Sequence, residues 1–447
     1  MEKKAPIQGS MPFPVTSRQV LEIAIPMTLA YLTTPLLGVV DMAVVGRFGD
    51  AALVGGLAAG AGVFDIVFAA FNFLRSGTTA LVAQAFGRND SLEERVVFWR
   101  AFLIAAISGL ALVLFSPLIA MVGEWFMNAG QPVTDVMDLY IRIRLIAAPA
   151  ALINYAILGY FLGRGNSVLG LLLQLLLNGM NVALSIFLGL YLGWGVAGVA
   201  WGTVLSEVIA MIAAIIILLR RFRVMPKMSR QHTFNMAAIR RMLHLSSDIV
   251  TPSCVLLGAY MLFARQGAQL SALTLAANAV LMHIFLVAAY SLDGFGAAAE
   301  QLAGRAVGAG CQPAFSRAVK LTAGWGLALS GLASVVIFAF GEQLVGAVTK
   351  AAEVRAEAAV YLPWAALAAP SGVLAFQMTG VFVGATWWLD VRNMMLLSFA
   401  VFITALFAFG QMFGNHGLWA AFHIFQLVRG ISLLLILRRR AGSAFAE

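Results

Sequence analysis

Long apolar segments dominate this sequence. Apolar residues make up 61% of its 447 residues and charged residues only 11%, a balance that no soluble domain needs in order to fill its core. Each segment holds roughly 20 residues or more, enough to cross a hydrocarbon layer of about 30 Å as a helix. We predict an all-α polytopic membrane protein with twelve transmembrane helices, at residues 20–46, 53–85, 97–121, 136–161, 167–190, 195–219, 243–266, 273–303, 318–341, 359–385, 393–411 and 417–437.

The basic residues predict the orientation of these helices. Most of the 29 Lys and Arg residues fall in the tails and the even-numbered loops, and a smaller share falls in the odd-numbered loops. Because basic loops stay in the cytoplasm, we expect an inner (cytoplasmic) membrane protein with both termini cytoplasmic. The net charge of +9 then reflects contact with anionic lipid headgroups rather than nucleic acid, for example at "RRFRVMPK". We expect a monomer.

The chain contains an internal repeat. The stretch "YIRIRLIAAPAALINYAILGYFLG", from Tyr140, resembles "YLPWAALAAPSGVLAFQMTGVFVG", from Tyr361, including the same Ala-Ala-Pro. We predict two six-helix lobes, residues 1–219 and 242–447, joined by a basic cytoplasmic linker at 220–241. Six helices is an even number, so the repeats are parallel, a plan used by transporters that work by alternating access around a central cavity. A duplicated structural bundle without a cavity is the alternative.

An aspartate lies within the first apolar segment, in "TTPLLGVVDMAVVGRFG". Asp41 costs several kcal/mol in a bilayer unless something offsets it. At 1.5 Å per residue, Asn181, Ser185 and Thr203 of helices 5 and 6 lie at depths where they can meet Asp41. A poorly solvated pocket favours the neutral form of a carboxylate, so Asp41 can carry a proton. The same oxygens could bind Na⁺, or Asp41 could be a permanent packing element.

Two prolines precede this aspartate in helix 1. Pro35 has no N–H, so the carbonyl of Tyr31 loses its helical donor, and Pro26 has the same effect earlier in the helix. Helix 1 is therefore bendable just below Asp41. We predict Pro26 and Pro35 as hinge positions that couple protonation of Asp41 to the shape of the cavity.

Other polar residues within the segments are weaker candidates. Asp65 and Asn72 are seven residues apart, hence near one helix face, and could line the same cavity. Asp293 and Glu300 have the same spacing in helix 8, while Glu207 and Arg429 occupy equivalent positions in the two repeats. A packing role is open for each. The predicted substrate cavity comprises Asp65, Phe68, Asn72, Asn154, Tyr155, Asn178 and Asp293.

No catalytic site, metal site or cofactor site is expected. The two cysteines and five histidines form no metal-binding pattern, and no Gly-rich phosphate loop appears. An intramembrane enzyme would need a clustered acid, base or metal constellation, which the sequence does not contain.

Several strings resemble the DinF-type branch of the multidrug and toxic compound extrusion (MATE) transporters. They are "PLLGVVDMAVVGRFGDAALVGGLAAGAGVFDIVFAAFNFLRSGTTALVAQAFG", "YSLDGFGAAAEQLAGRAVGA", "GVFVGATWWLDVRNMM" and "NHGLWAAFHIFQLVRGISL". The resemblance implies twelve helices in two lobes around a V-shaped cavity, and export of small organic, often cationic or amphipathic, substrates in exchange for H⁺ or Na⁺. It also implies that Asp41 is the coupling residue and that Asn181 and Thr203 accompany it.

One position departs from the family pattern. Where many relatives have Asn-x-x-x-Asp on helix 5, this chain has "NVALS", so Ser185 replaces a second carboxylate. A single carboxylate holds Na⁺ less well than two, which favours H⁺ coupling through Asp41. A Na⁺-coupled exporter and a lipid-precursor flippase of the same superfamily remain the alternatives.

Overall fold

The computed structural model describes residues 13–128, 130–226 and 236–446. The helices are α1 (Ser17–Gly46), α2 (Ala51–Ala69), α3 (Phe73–Gly87), α4 (Ser91–Leu114), α5 (Ser116–Met127), α6 (Gln131–Ile146), α7 (Ala148–Gly163), α8 (Ser167–Leu184), α9 (Gly195–Phe222), α10 (Met236–Leu270), α11 (Ala272–Gly308), α12 (Gln312–Val348), α13 (Ala352–Gly384) and α14 (Trp388–Ala444). A π-helical segment, Ser185–Tyr191, continues α8. Gly414 is non-helical and divides α14.

Twelve membrane spans can be assigned within the described part of the chain. Eleven helical stretches are long and apolar enough to cross a membrane, and α6 and α7 together form a twelfth that bends by 54°. The bend lies next to Pro149, in the first turn of α7, where the missing N–H of a proline is tolerated. The predicted all-helical, twelve-span architecture is confirmed.

Two predicted spans differ in detail from the observed helices. The third was expected at residues 97–121, but α4 ends at Leu114 and α5 begins at Ser116 with Pro117 in its first turn. Proline cannot continue the hydrogen bonding of a preceding helix but fits the start of a new one. The second span is interrupted between Ala69 and Phe73, so it is not the single regular helix that the sequence suggested.

The chain divides into two compact units. The first unit is Leu29–Ser246, and the second joins the residues up to Thr28 with those from Ser247 onward. The boundary between the units thus lies within α1 and near the start of α10. Residues 227–235 of the predicted linker lie outside the described residues, while α9 occupies the linker's first positions up to Phe222.

Each unit has its own apolar core. In the first unit, buried side chains of α1, α2, α6 and α9 pack together, including Val44, Leu57, Tyr140 and Val199. In the second unit, a larger core joins α10, α11, α13 and α14 around residues such as Trp419 and Phe422. The first core packs α1, which carries Asp41, against α2, α6 and α9.

Candidate functional site

Asp41 and Ser185 are in direct contact. Asp41 lies on α1 with only 7% of its surface exposed, and Ser185 is fully buried at the first position of the π-helical segment. The Ser185 hydroxyl donates a hydrogen bond to Oδ1 of Asp41, with the two oxygens 3.0 Å apart. A hydrogen bond to a buried carboxylate offsets part of the cost of removing it from water. The predicted proximity of these two residues is therefore present.

Asn181 and Thr203 form a second buried pair next to the first. Nδ2 of Asn181 donates to Oγ1 of Thr203 over 2.8 Å, and the Thr203 hydroxyl in turn donates to the Val199 carbonyl. Asn181 lies one helical turn before Ser185, so the two pairs share a face of α8. The Oδ1 atom of Asn181 is buried and accepts no hydrogen bond, which leaves one acceptor available in this polar cluster.

A glycine lets α9 approach this cluster closely. A Cβ atom added at Gly202 would lie 2.8 Å from the backbone nitrogen of Ser185 and 3.0 Å from the carbonyl carbon of Leu184. These are backbone atoms that cannot rotate away. Gly202 thus brings Thr203, the next residue, to the same depth as Ser185.

A further contact joins α8 to α1 closer to the prolines. Nδ2 of Asn178 donates to the hydroxyl of Thr33, which donates to the carbonyl of Ala30. Asn178 is buried and therefore belongs to the interface between the two helices. α1 runs as one helix through Pro26 and Pro35, and their role as hinges stays a prediction.

Asn154 and Glu207 form a polar pair that the sequence did not predict. Nδ2 of Asn154 donates to Oε2 of Glu207 over 2.7 Å and to the Glu207 backbone carbonyl over 3.0 Å. Both residues had been singled out separately, but their pairing depends on the rotation of α7 against α9. The only available signal was that two polar residues in adjacent spans need partners.

Aromatic side chains lie close to this pair. The rings of Phe64 and Phe68 stack with their centroids 3.9 Å apart, and Tyr155 contacts Phe68 edge to face at 6.5 Å. The predicted cavity residues Phe68 and Tyr155 therefore belong to one cluster with Phe64.

Arg144 is a site residue that the sequence analysis did not identify. It lies in the last turn of α6, where its guanidinium carbon is 4.0 Å from the centroid of the Phe64 ring. Its Nη1 donates to the Tyr140 hydroxyl over 2.8 Å, and its charge acts on both Asp41 and Asp65. Tyr140, one helical turn earlier, was the signal that could have placed it.

Asp65 and Asn72 do not share one regular helix. Asp65 lies in α2, whereas Asn72 lies in the turn between α2 and α3, so the inference from their spacing was wrong. Both residues are exposed at the surface of the first unit. Their assignment to a substrate cavity stays a prediction.

The polar residues of the second unit are arranged differently. Asp293 of α11 is partly buried and interacts electrostatically with Arg429 of α14, which also interacts with Tyr260. Arg429 is buried, and its guanidinium contacts Oγ1 of Thr379 and Oε1 of Gln426 at 3.5 Å. The carboxamide of Gln426 is thus farther from Arg429 than that of Asn154 is from Glu207, the repeat equivalent of Arg429, at 2.7 Å.

Comparison with known sequences identifies the family. The sequence model of the MatE family matches residues 26–187 and again residues 249–409. The chain belongs to the MatE family. The two matches agree with the predicted internal repeat, and the predicted resemblance to MATE transporters is confirmed.

Individual relatives of this MATE-family chain include bacterial and plant proteins. It is 31% identical to DNA damage-inducible protein F of Escherichia coli strain K12, covering 95% of this chain and 93% of that protein, which confirms the DinF-type resemblance. It is 25% identical to the chloroplastic Protein DETOXIFICATION 44 of Arabidopsis thaliana, covering 95% of this chain and 82% of that protein.

Solved structures show the same fold. A MATE transporter from Vibrio cholerae has a TM-score of 0.88 at 17% identity, covering 96% of this chain and 98% of that one. A MOP superfamily transporter from Pyrococcus furiosus has a TM-score of 0.87 at 18% identity, covering 96% and 97%. These structures show the fold, and the family match shows that the chain is a multi-pass membrane transporter.

Proposed function

We propose that this MATE-family transporter is a secondary antiporter that exports organic, cationic or amphipathic compounds in exchange for H⁺. Asp41 is the residue that takes up and releases the proton. The observation that carries the proposal is the buried contact between Asp41 and Ser185, in which the hydroxyl donates to Oδ1 at 3.0 Å. A hydroxyl both donates and accepts, so Ser185 can pair with the carboxylate or with the protonated acid.

Protonation of Asp41 is coupled to transport through the position of helix α1. Asp41 carries a charge when deprotonated, which strengthens its hydrogen bond to Ser185, and becomes neutral when protonated, which weakens that bond. The position of α1 against α8 then depends on the proton. Pro35, below Asp41, removes one helical hydrogen bond and makes bending of α1 at that level less costly.

Sodium is the second candidate for the coupling ion. Oδ1 of Asn181 is buried without a hydrogen bond, and carboxylate, amide and hydroxyl oxygens are ligands that suit a hard cation. We prefer H⁺ because Asp41 is the one carboxylate in this cluster, and Ser185 stands where many relatives have a second.

The aromatic cluster and the family support the proposed substrate class. Phe64, Phe68 and Tyr155 offer apolar faces that accept flat or amphipathic organic molecules with little demand on their exact shape. One relative, from Chromobacterium violaceum, bears the name probable multidrug resistance protein NorM. The aromatic cluster and the name of this relative are both consistent with export of several small organic compounds.

The cellular location is proposed from charge distribution. The basic residues around α9 and α14, including Arg220, Arg221, Arg438, Arg439 and Arg440, favour cytoplasmic termini. The similarity to an Escherichia coli protein supports the inner membrane, with export directed out of the cytoplasm.

The decisive experiment measures proton movement with and without Asp41. In everted vesicles, addition of a transported organic dye is expected to release protons with the intact protein and not with Asp41→Asn. Asp50→Asn is the matched control, because Asp50 is exposed and caps the N-terminus of α2, a role that asparagine also fills. Sodium-stimulated export without proton movement would instead establish Na⁺ as the coupling ion.

A further inference from the structure

A charged cavity lies away from the Asp41 cluster, at one end of the spans in the first unit. It has a volume of about 370 Å³ and is formed by the end of α3, the start of α4, the residue after α7 and the end of α9. Its charged side chains are Glu94, Arg164 and Arg221, and its apolar ones are Phe86, Val224 and Met225. The proposed antiport mechanism uses none of these residues.

The charges in this cavity do not cancel. Arg164 is held by Glu94, which accepts a hydrogen bond from its Nη1, and the Arg164 guanidinium carbon lies 5.2 Å from the centroid of the Phe86 ring. Arg221 interacts with Glu94 only electrostatically, and its Nε atom is buried without a hydrogen bond. The one carboxylate among the lining residues therefore faces two guanidinium groups.

Hydrogen bonds hold the cavity wall in place. Nη1 of Arg95, on α4, donates to the carbonyl of Pro226 over 2.9 Å and to that of Phe222 over 3.4 Å. The Tyr160 hydroxyl, on α7, contacts the sulfur of Met225 at 4.0 Å. Two helices, α4 and α7, are thus tied to the end of α9 and to the residues that follow it, next to Arg221.

A carboxylate outside the cavity does not neutralise it. Asp90 also interacts electrostatically with Glu94, but its Oδ1 accepts the backbone N–H of Glu93 at 2.9 Å as the cap of α4. Asp90 is exposed and is not among the lining residues. Ser91, which does line the cavity, adds a hydroxyl donor.

We propose that this cavity binds a phosphate group, either the phosphodiester of an anionic phospholipid or free phosphate. Arg221 supplies a guanidinium whose Nε has no hydrogen bond among the described residues and whose planar donors match phosphate oxygens, and Ser91 supplies a neutral donor. Phe86, Val224 and Met225 give one side of the cavity an apolar surface for a glycerol backbone and the start of acyl chains. Basic cavities at the ends of membrane helices bind lipid headgroups in this manner.

Lipid binding to the full-length protein tests the proposal. Native mass spectrometry of the purified protein with dioleoyl phosphatidylglycerol is expected to show bound lipid, whereas dioleoylglycerol, which lacks the phosphate, is not retained. Arg221→Gln should weaken phosphatidylglycerol binding by about tenfold, the size expected for loss of a charge-assisted hydrogen bond. Arg221→Lys should retain most of the binding.

A matched control variant distinguishes lipid binding in this cavity from general attraction of anionic lipid to the basic surface of the protein. Arg223 is exposed two residues beyond Arg221 and does not line the cavity, so Arg223→Gln should leave binding unchanged. Glu94→Gln should strengthen binding several-fold, because it removes the competing carboxylate, and a misfolded protein would not gain affinity. Equal losses in Arg221→Gln and Arg223→Gln, or no loss in either, would overturn the proposal.

Inorganic phosphate distinguishes the two sources of the ligand. Displacement of phosphatidylglycerol by millimolar phosphate, with the same sensitivity to Arg221→Gln, would support a site for the phosphate group alone. Retention of the lipid in excess phosphate, again sensitive to Arg221→Gln, would support a lipid headgroup site. Transport and proton release are not needed as readouts, so the result is independent of the antiport mechanism.

Discussion

Ser185 Oγ lies 3.0 Å from Oδ1 of Asp41, and both side chains are buried. The resemblance to the DinF-type branch implies a second carboxylate at this position in many relatives, where this chain has a neutral hydroxyl. The cluster therefore has a single ionisable group, Asp41, beside the neutral hydroxyl of Ser185 and the neutral pair formed by Asn181 and Thr203. We therefore expect the choice between proton and sodium to depend on Ser185, the first residue of the π-helical segment.

Restoring the second acid is expected to change the coupling ion. With Ser185→Asp, two carboxylates, Asn181 Oδ1 and the Thr203 hydroxyl would surround one small volume, and their combined negative charge would offset the dehydration of Na⁺. We expect export by Ser185→Asp to become Na⁺-stimulated. The measurement is dye export from proteoliposomes with an imposed Na⁺ gradient or an imposed pH gradient.

The control for this prediction is Ser185→Asn, which has similar size but no added charge. It should not acquire Na⁺ stimulation. If Ser185→Asp and Ser185→Asn behaved alike, charge at this position would not determine the ion.

Gly202 is expected to be intolerant of a methyl group. In Gly202→Ala the added Cβ would lie 2.8 Å from the backbone nitrogen of Ser185, forcing α9 away from α8. We expect the free energy of unfolding to fall by about 1–3 kcal/mol, as for other overpacked sites, with a loss of export because Thr203 and Ser185 separate. Thermal unfolding in detergent measures the first effect and dye export the second.

Gly179→Ala provides the comparison on the neighbouring helix. A Cβ at Gly179 meets nothing within 4 Å, and alanine is a better helix former than glycine by about 1 kcal/mol. This variant should be as stable as the original or more so. Equal destabilisation of both variants would show that close packing at Gly202 is not the cause.

Arg144 is expected to influence whether the transporter prefers cationic or neutral substrates. Its guanidinium occupies the face of Phe64 at 4.0 Å, which is the position that an organic cation would take in a cation–π contact. Arg144→Gln should raise the export rate of a quaternary ammonium dye relative to that of a neutral dye by several-fold. Competition assays in vesicles with the two dyes measure this ratio.

Arg142→Gln is the control for the change in charge. Arg142 lies on the same helix, where it is exposed and paired with Asp138 at 2.7 Å, away from the aromatic cluster. The ratio should not change in this variant. The same shift in both variants would indicate a general electrostatic effect on cation approach.

The sequence predicted the membrane spans and the residues that surround Asp41. It did not predict which other side chains contact each other between helices. Hydropathy fixes where a helix can cross the membrane, and the rise per residue fixes depth, which sufficed to bring Ser185 near Asp41. Rotation about the helix axis follows from packing, for example at Gly202, and spacing alone does not encode it. The partners of Arg144 and Glu207 therefore emerged only in the structure, and so did the break between α2 and α3 that separates Asp65 from Asn72.

The pair formed by Asn154 and Glu207 is expected to stabilise the first unit through its hydrogen bond. Asn154→Ala removes the donor to Oε2 of Glu207 at 2.7 Å and leaves a carboxylate in a poorly solvated place. The expected cost is about 2–3 kcal/mol in the free energy of unfolding, the range for a lost partner of a charged group. Glu207→Gln should cost less, because its amide can still contact Asn154 and carries no charge.

A double-mutant cycle tests whether the contact itself stabilises the fold. In the double variant Asn154→Ala with Glu207→Gln, removal of the charge should recover part of the lost free energy of unfolding, which thermal unfolding measures. Additive losses would mean that the two residues stabilise the fold independently and that their contact contributes nothing.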